Sequence, residues 1–159
     1  MYVSTLHGLL YLILFVLSGN ILASVGLDSD HSLTLHDWSK AVEIIRTPTD
    51  KRKVLCVSFL LNDPTNAFDT SVAKGGGVAS TGGASDSRDI VVTAGSKHLK
   101  FWWYQGHNVQ SQHAMWGKHR VAKRSTVMCV ASANRDMCVS GSSDGDLIIW
   151  HKFRVSYRS

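Results

Sequence analysis

The stretch VSGSSDGDLIIW, residues 139–150, decides the fold of this chain. It predicts two short strands joined by a tight turn, with Asp144 and Gly145 in the turn and Trp150 at the end of the second strand. Gly145 suits the turn because glycine adopts positive φ angles without steric cost. A lone hairpin is marginally stable in water, so the chain must supply further strands that pack against this one.

Two earlier segments repeat the same order of strand, turn and strand. In each unit, a strand that carries a hydroxyl residue and ends in glycine is followed by a turn and a second strand. The first strands of these hairpins are LASVG (22–26), VVTAG (91–95) and CVSG (138–141). The second strands begin at Leu33, Leu99 and Leu147, and a further apolar strand precedes each hairpin at residues 12–17, 54–61 and 127–131. The pattern therefore predicts a repeat of three units.

The spacing of the units is close to that of a propeller blade. Their aromatic ends fall at positions 36, 102 and 150, which gives periods of 66 and 48 residues, and a WD-type blade takes about 40–45. The longer period contains residues 73–89, a Gly/Ser-rich run that cannot bury enough apolar surface to fold alone. We predict that this run is a disordered insertion between two strands of the middle unit. A linker between two domains is the alternative.

Each unit also offers a segment for a fourth, outer strand. Residues 41–46 (AVEIIR) and 152–157 (KFRVSY) supply it in the first and third units, whereas residues 109–120 are polar and predict a long connection with a poor outer strand. The sequence therefore predicts an all-β fold: a partial β-propeller of about three four-stranded antiparallel blades over residues 10–159, after a lead-in at 1–9. The predicted units cover residues of about 10–46, 54–104 and 127–157.

The apolar run LLYLILFVL, residues 9–17, has three possible interpretations. Its nine residues are too few for a membrane-spanning helix, which needs about 20. The length matches the apolar part of a signal peptide, but residues 1–8 contain no Lys or Arg. The alternating pattern fits a buried inner strand, which is our prediction. A secretory signal or a membrane anchor is the alternative.

Composition and charge narrow the class of protein. The chain has 159 residues, of which 44% are hydrophobic and 18% charged, as in an ordinary globular domain. Its net charge of +5 favours acidic partners. Three cysteines cannot form a complete disulfide set, which indicates buried thiols in a reducing compartment such as the cytoplasm.

Two stretches carry a resemblance to a known family. LASVGLDSDHSLTLHDW (22–38) and TAGSKHLKFW (93–102) resemble the echinoderm microtubule-associated-protein-like family of WD-repeat β-propellers. In that family a Gly-Leu-Asp-x-Asp-His-Ser run precedes a strand that ends near Trp-Asp-Trp, and Lys-His-Ile-Lys-Phe-Trp follows in the next blade. The resemblance extends from about Phe15 to His151. It implies a tandem propeller that binds tubulin and is associated with the microtubule cytoskeleton in the cytoplasm.

The resemblance also implies a network of hydroxyl, acidic, histidine and Trp side chains that stabilises each blade. The candidate residues in this chain are Ser24, Asp28, Asp37, Trp38, Trp102, Ser140, Asp144 and Trp150. Two residues depart from the family pattern: His36 stands where the first Trp of Trp-Asp-Trp is usual, and Lys97 occupies a turn where an acid is usual. The networks are therefore expected to be partial and locally weaker.

Basic residues are the best functional lead outside the strands. They form two clusters in connections that lead into inner strands, so stacked blades would bring them to one face that attracts an acidic protein surface. The clusters are Lys51, Arg52 and Lys53, and Lys118, Arg120, Lys123 and Arg124. An ordinary solvated edge is the alternative. Nucleic acid is not expected as a partner, because the aromatic residues lie in strands and not among the basic clusters.

Motifs for catalysis, cofactors and metals are missing from the sequence. It has no Gly-x-Ser-x-Gly, no phosphate-binding loop with Lys-Ser/Thr and no His-Glu-x-x-His, so we predict a non-enzymatic protein without a cofactor. His107, His113 and His119 recur every six residues, which matches no zinc pattern, so no metal is predicted. A generic scaffold for protein complexes, without tubulin contact, is the functional alternative.

Three units are too few for a closed propeller, which takes about four to eight blades. Open sheet edges invite further pairing. We therefore predict that the sequence is a fragment of a longer propeller. Closure by oligomerisation, or packing against another propeller, is the alternative.

Overall fold

The computed structural model describes residues 10–15, 20–60, 89–105, 107–117, 125–134 and 136–158. These residues form three four-stranded antiparallel sheets, each built from four strands that are consecutive in the chain. Sheet 1 contains β1 (Leu10–Phe15), β2 (Ile21–Gly26), β3 (Leu33–Asp37) and β4 (Val42–Thr47). Sheet 2 contains β5 (Val54–Leu60), β6 (Ile90–Gly95), β7 (His98–Gln105) and β8 (Asn108–His113). Sheet 3 contains β9 (Val127–Ser132), β10 (Met137–Ser142), β11 (Leu147–His151) and β12 (Arg154–Arg158).

The three sheets are arranged as successive propeller blades. The first strand of sheet 2, β5, contacts the first strands of the other two sheets, β1 and β9, so the inner strands are neighbours. Strands β4, β8 and β12 are the last in their sheets and lie on the opposite side of each blade. The prediction of an all-β fold with four-stranded antiparallel blades is confirmed.

Strand register defines equivalent positions in the three sheets. Ser24 lies opposite Thr34, Thr93 lies opposite Lys100, and Ser140 lies opposite Ile148. Two residues further along each third strand, the equivalent residues are His36, Trp102 and Trp150. His36 therefore occupies in sheet 1 the position that Trp holds in the other two sheets.

Strand β8 is more regular than the sequence predicted. Its six residues pair with β7 without a register shift, whereas a long connection with a poor outer strand was expected there. The prediction was wrong because the sequence NVQSQH is polar and lacks the apolar alternation of a half-buried strand. An outer strand tolerates polar side chains because its faces are largely exposed, and β7 supplies the backbone hydrogen bonds.

Some of the sequence-based expectations fall outside the described residues. The lead-in at 1–9 and all but Asp89 of the insertion at 73–89 lie there. Of the apolar run at 9–17, the described part is Leu10–Phe15, which forms β1 and pairs with β2. Within the described ranges, no helix is long and apolar enough to cross a membrane.

The buried apolar residues in the described part of the chain form two clusters, one at each junction between sheets. Because successive side chains of a strand point to opposite faces, Phe101 packs toward sheet 3 and Trp102 toward sheet 1. The cluster between sheets 1 and 2 includes Val25, Leu33, Leu35, Val57 and Trp102. The cluster between sheets 2 and 3 includes Leu99, Phe101, Val127, Ile148 and Trp150.

Phe153 joins sheets 2 and 3 a second time. This residue lies between β11 and β12 with a φ of 71°. Its ring centroid is 4.9 Å from that of Phe101 and 5.7 Å from that of Trp103. Its carbonyl oxygen accepts a hydrogen bond of 2.8 Å from the amide of Met115. The ring of Phe153 from sheet 3 thus packs against the rings of Phe101 and Trp103 in sheet 2.

Gly95 lies where two strands of sheet 2 approach closely. A Cβ atom there would be 2.1 Å from the Lys53 carbonyl oxygen and 2.8 Å from the Val54 Cα. We expect Gly95→Ala to lower the free energy of unfolding by about 1–3 kcal/mol, because only backbone atoms could move to make room. Chemical denaturation with urea measures the change.

Gly26 provides the matched control for this substitution, since it also ends the second strand of its sheet. A Cβ at Gly26 would meet the Asp28 carboxylate at 2.5 Å, and that exposed side chain can rotate away. Gly26→Ala should therefore cost clearly less stability than Gly95→Ala. Equal losses would show that the backbone contact at Gly95 is not the cause.

Candidate protein-binding rim

Turns and connections from the three sheets meet along one edge of the molecule. In each antiparallel sheet, the turn between the second and third strands lies at the same end as the exit from the fourth strand. Backbone hydrogen bonds join these segments in a continuous line. The bonds run from Thr49 N to Asp30 O (3.1 Å), from Ser96 N to Lys53 O (2.9 Å) and from Ser143 N to Thr126 O (2.8 Å), and Ser96 and Thr126 form an isolated β-bridge. We call this edge the rim; it comprises residues 27–32, 48–53, 96–97, 125–126 and 143–146.

The described basic cluster lies on the rim and gains a further member there. Lys51, Arg52 and Lys53 are exposed. Arg52 Nη1 donates a hydrogen bond of 2.8 Å to the carbonyl oxygen of Lys97, which is exposed in the β6–β7 turn with a φ of 52°. The sequence treated Lys97 only as a departure from the family pattern, because residues 45 positions apart in the chain show no proximity without the fold. The second predicted cluster, Lys118, Arg120, Lys123 and Arg124, lies outside the described residues.

Acidic side chains occupy the rim on both sides of these cations. Asp28 and Asp30 are exposed in the turn of sheet 1, and Asp144 is exposed in the turn of sheet 3. Asp28 accepts hydrogen bonds from the Ser32 hydroxyl at 2.6 Å and the Ser32 amide at 2.9 Å. The hydroxyl bond is the main cause that holds the pKa of Asp28 below its ordinary value. Among the described residues, the exposed charges are therefore acidic in the turn of sheet 1, basic in the connection into sheet 2 and its turn, and acidic at Asp144 in the turn of sheet 3.

A buried network lies directly beneath the basic part of the rim. Trp102 Nε1 donates a hydrogen bond of 2.8 Å to Thr93 Oγ1, and Thr93 Oγ1 is 2.8 Å from His98 Nε2. His98 Nδ1 faces Asp50 Oδ2 at 3.5 Å, the outer limit for a hydrogen bond. Thr93, His98 and Trp102 are all at most 2% exposed. The network connects the core of sheet 2 to the connection that carries Lys51 and Arg52.

The polarity of this network assigns the tautomer of His98. The Thr93 hydroxyl accepts from Trp102 and so has its own proton to donate to His98 Nε2. The ring proton then lies on Nδ1, which faces the Asp50 carboxylate at 3.5 Å in an electrostatic contact without hydrogen-bond geometry. Burial lowers the pKa of His98 to about 4, and the nearby Asp50 only partly opposes this effect. His98 is accordingly neutral at pH 7.

Three of these four residues are missing from the set that the sequence identified. Trp102 was selected, but Thr93, His98 and Asp50 were not. The signal for Thr93 was available, because the repeat aligns it with Ser24 and Ser140. His98 is the histidine of the run that resembles Lys-His-Ile-Lys-Phe-Trp, but only the fold shows that it faces Asp50, for which the sequence offered no signal.

Sheet 3 contains a smaller network. Trp150 Nε1 donates a hydrogen bond of 2.8 Å to Ser140 Oγ, and both residues are 1% exposed. Asp144 remains in the turn, where its carboxylate accepts from the Ser143 hydroxyl at 3.1 Å. The structure therefore brings Ser140 and Trp150 together and places Asp144 at the surface.

The four candidates in sheet 1 do not form one network. Ser24 is buried and its hydroxyl is 3.5 Å from the carbonyl oxygen of Thr34. Asp28 closes its own turn, as described above. Asp37 accepts from the Lys40 ammonium at 2.8 Å and the Ser39 hydroxyl at 2.6 Å, and these bonds, that of Lys40 first, lower the pKa of Asp37 to about 2. Trp38 lies in the β3–β4 turn and is 55% exposed, whereas the half-buried His36 holds the position equivalent to Trp102 and Trp150.

Among the residues with described positions, no three His, Cys, Asp or Glu side chains are grouped closely enough to hold a metal ion. The cysteines of that part of the chain are free thiols. Burial raises the pKa of Cys56 and of Cys138 to about 12, so neither is a reactive thiolate at pH 7.

Comparisons with known proteins agree with this architecture. The chain is 26% identical to human echinoderm microtubule-associated protein-like 2 over 134 residues, which are 84% of this chain and 17% of that protein. It is 28% identical to Xenopus laevis echinoderm microtubule-associated protein-like 4 over 138 residues, which are 87% of this chain and 12% of that protein. The chain thus spans less than a fifth of the length of these curated relatives. No protein-family profile matches it.

A solved structure shows the same fold. The crystal structure of the WD40 β-propeller domain of Doa1 superimposes with a TM-score of 0.51 and 14% sequence identity, covering 87% of this chain and 36% of that one. The WD-repeat β-propeller fold is therefore confirmed. The resemblance to echinoderm microtubule-associated-protein-like proteins, which the segments 22–38 and 93–102 indicated, is confirmed as well.

Proposed function

We propose that this chain is a non-enzymatic protein-binding module that contacts microtubules in the cytoplasm. The similarity over 84% of the chain to a protein named microtubule-associated supports this proposal. The fold supports the coarser function, because a WD-repeat propeller presents turns and connections as a surface for protein partners.

The proposed contact surface is basic. It comprises Lys51, Arg52 and Lys53 on the rim, together with Lys118, Arg120, Lys123 and Arg124. Microtubules are the proposed acidic partner of this surface. An attraction of this kind acts between solvent-exposed charges, so it weakens as salt shortens the screening length from about 30 Å at 0.01 M to about 8 Å at 0.15 M.

Co-sedimentation with polymerised tubulin tests the proposal. The complete 159-residue chain should pellet with microtubules at low ionic strength, and the pelleted fraction should fall at physiological ionic strength. The chain centrifuged alone controls for self-association. If the pelleted fraction at low ionic strength equals that of the chain alone, the module does not contact microtubules, and the scaffold for other protein complexes becomes the better description.

A further inference from the structure

The basic part of the rim is assembled from two separate connections. Lys51 and Arg52 come from the β4–β5 connection and Lys97 from the β6–β7 turn, and all three are exposed. Two hydrogen bonds hold the two connections together: Arg52 Nη1 to Lys97 O at 2.8 Å and Ser96 N to Lys53 O at 2.9 Å. We call Lys51, Arg52 and Lys97 the rim cations.

One of the rim cations, the Arg52 guanidinium, is positioned before any partner binds, and the backbone that carries Lys97 is fixed with it. Lys97 lies in a two-residue turn between paired strands, and the Arg52 guanidinium is tied to the Lys97 carbonyl oxygen. The carboxylate of Asp50, which precedes Lys51 in the chain, accepts from the Arg52 amide at 3.3 Å and faces His98 at 3.5 Å. Against the opposing effect of burial, the charge of Arg52 also helps to lower the pKa of this carboxylate, so Asp50 offsets part of the positive charge at the inner side of the rim cations. Pre-organised charges lose less conformational entropy on binding than mobile ones.

The acidic turns on both sides limit what can bind. Asp28 and Asp30 flank the rim cations in sheet 1, and Asp144 flanks them in sheet 3. A nucleic acid duplex or an anionic membrane is broad enough to reach these carboxylates as well, and like charges in contact are unfavourable. A narrow polyanion contacts the cations alone.

We propose that the rim cations bind an extended acidic polypeptide segment, whose carboxylates pair with Lys51, Arg52 and Lys97. The proposal rests on the proposed function only for the identity of the protein that supplies the segment. An extended chain suits the site because its side chains repeat at about 3.3 Å per residue, so alternate carboxylates face one side.

A fluorescent Glu-rich peptide, with its Gln-substituted analogue as the uncharged control, provides the test. Fluorescence anisotropy on the complete chain should show salt-dependent binding of the Glu peptide and none of the Gln peptide. The double variant Lys51→Glu/Lys97→Glu should raise the Kd about tenfold, since each reversal replaces a weak attraction with a repulsion. Lys97→Gln, which only removes charge, should give a smaller rise.

Lys152→Glu is the matched control. Lys152 is also an exposed lysine with positive φ, 46° against 52° for Lys97, in a two-residue turn between paired strands. It lies between β11 and β12, at the end of sheet 3 opposite the rim, so its reversal should change the Kd less than about twofold. The proposal is overturned if the rim and control variants weaken peptide binding equally, if the Gln peptide binds as well, or if double-stranded DNA competes more strongly than the Glu peptide.

The same reagents separate this proposal from the proposed function. Peptide binding that depends on the rim cations, without microtubule pelleting, would retain the acidic-segment site and reject the microtubule. If the double variant pellets with microtubules as the wild type does, and the Glu peptide does not bind, the microtubule contact is retained and the acidic-segment site is rejected.

Discussion

Trp102→Ala is expected to lower the free energy of unfolding by about 3–5 kcal/mol, the range for large aromatic residues removed from a core. Trp102 is 2% exposed and belongs to the core cluster between sheets 1 and 2. Its loss also removes the indole N–H that Thr93 accepts in a site without access to solvent. Denaturation with urea, followed by circular dichroism, measures the change.

Trp38→Ala is the control of identical chemistry. The sequence selected both tryptophans as structural residues of a blade, but Trp38 is 55% exposed. Its replacement should change stability by no more than about 0.5–1 kcal/mol, as for most surface sites. Similar losses for the two variants would contradict the placement of the Trp38 side chain at the surface of sheet 1.

Acidification is expected to destabilise the chain through His98 before the carboxylates titrate. The pKa of His98 is about 4 in the folded chain and 6.5 in the reference state, so the unfolded chain binds more protons between these values. Stability is therefore present above pH 6.5 and is lost as the pH falls, by about 2 kcal/mol at pH 5 and about 3 kcal/mol near pH 4. Urea denaturation at pH 8, 6 and 5 measures the slope.

His98→Gln isolates this contribution. The amide keeps a polar group near Thr93 but does not titrate, so the variant should lose much less stability between pH 8 and pH 5 than the wild type. Burial also lowers the pKa of His36, and this smaller effect remains in both proteins. Parallel pH dependences for the variant and the wild type would show that His98 is not the group responsible.

Local sequence patterns were sufficient to predict the strands and their pairing. Period-two apolar runs bounded by glycine predicted β2, β6, β10 and their partners, because these features act between residues that are close in the chain. The pattern failed at β8, where an outer strand needs no apolar face. The sequence pattern also grouped Trp38 with Trp102 and Trp150 as structural residues of a blade. The residue types alone did not show that position 36, and not position 38, is equivalent to these two tryptophans.

The site was less predictable than the fold. The cluster Lys51, Arg52 and Lys53 is visible in the sequence because its residues are consecutive. Lys97 joins this cluster through the hydrogen bond from Arg52 to its carbonyl oxygen, which spans 45 residues of the chain. The same applies to Asp50 and His98, which meet across two connections. Such contacts depend on how one sheet follows the next, and no local pattern records that geometry.

Phe153 couples the stability of sheet 3 to that of sheet 2. A bulky residue at a positive φ is strained by about 1–2 kcal/mol, and it keeps this conformation only while other contacts compensate. Here those contacts are the rings of Phe101 and Trp103 in the neighbouring sheet. If β12 detaches from β11, the turn that contains Phe153 can adopt an unstrained conformation. Phe101 and Trp103 then lose their contact with the Phe153 ring at the same time. We therefore expect sheets 2 and 3 to unfold together, because the turn at the outer edge of sheet 3 covers aromatic side chains of sheet 2.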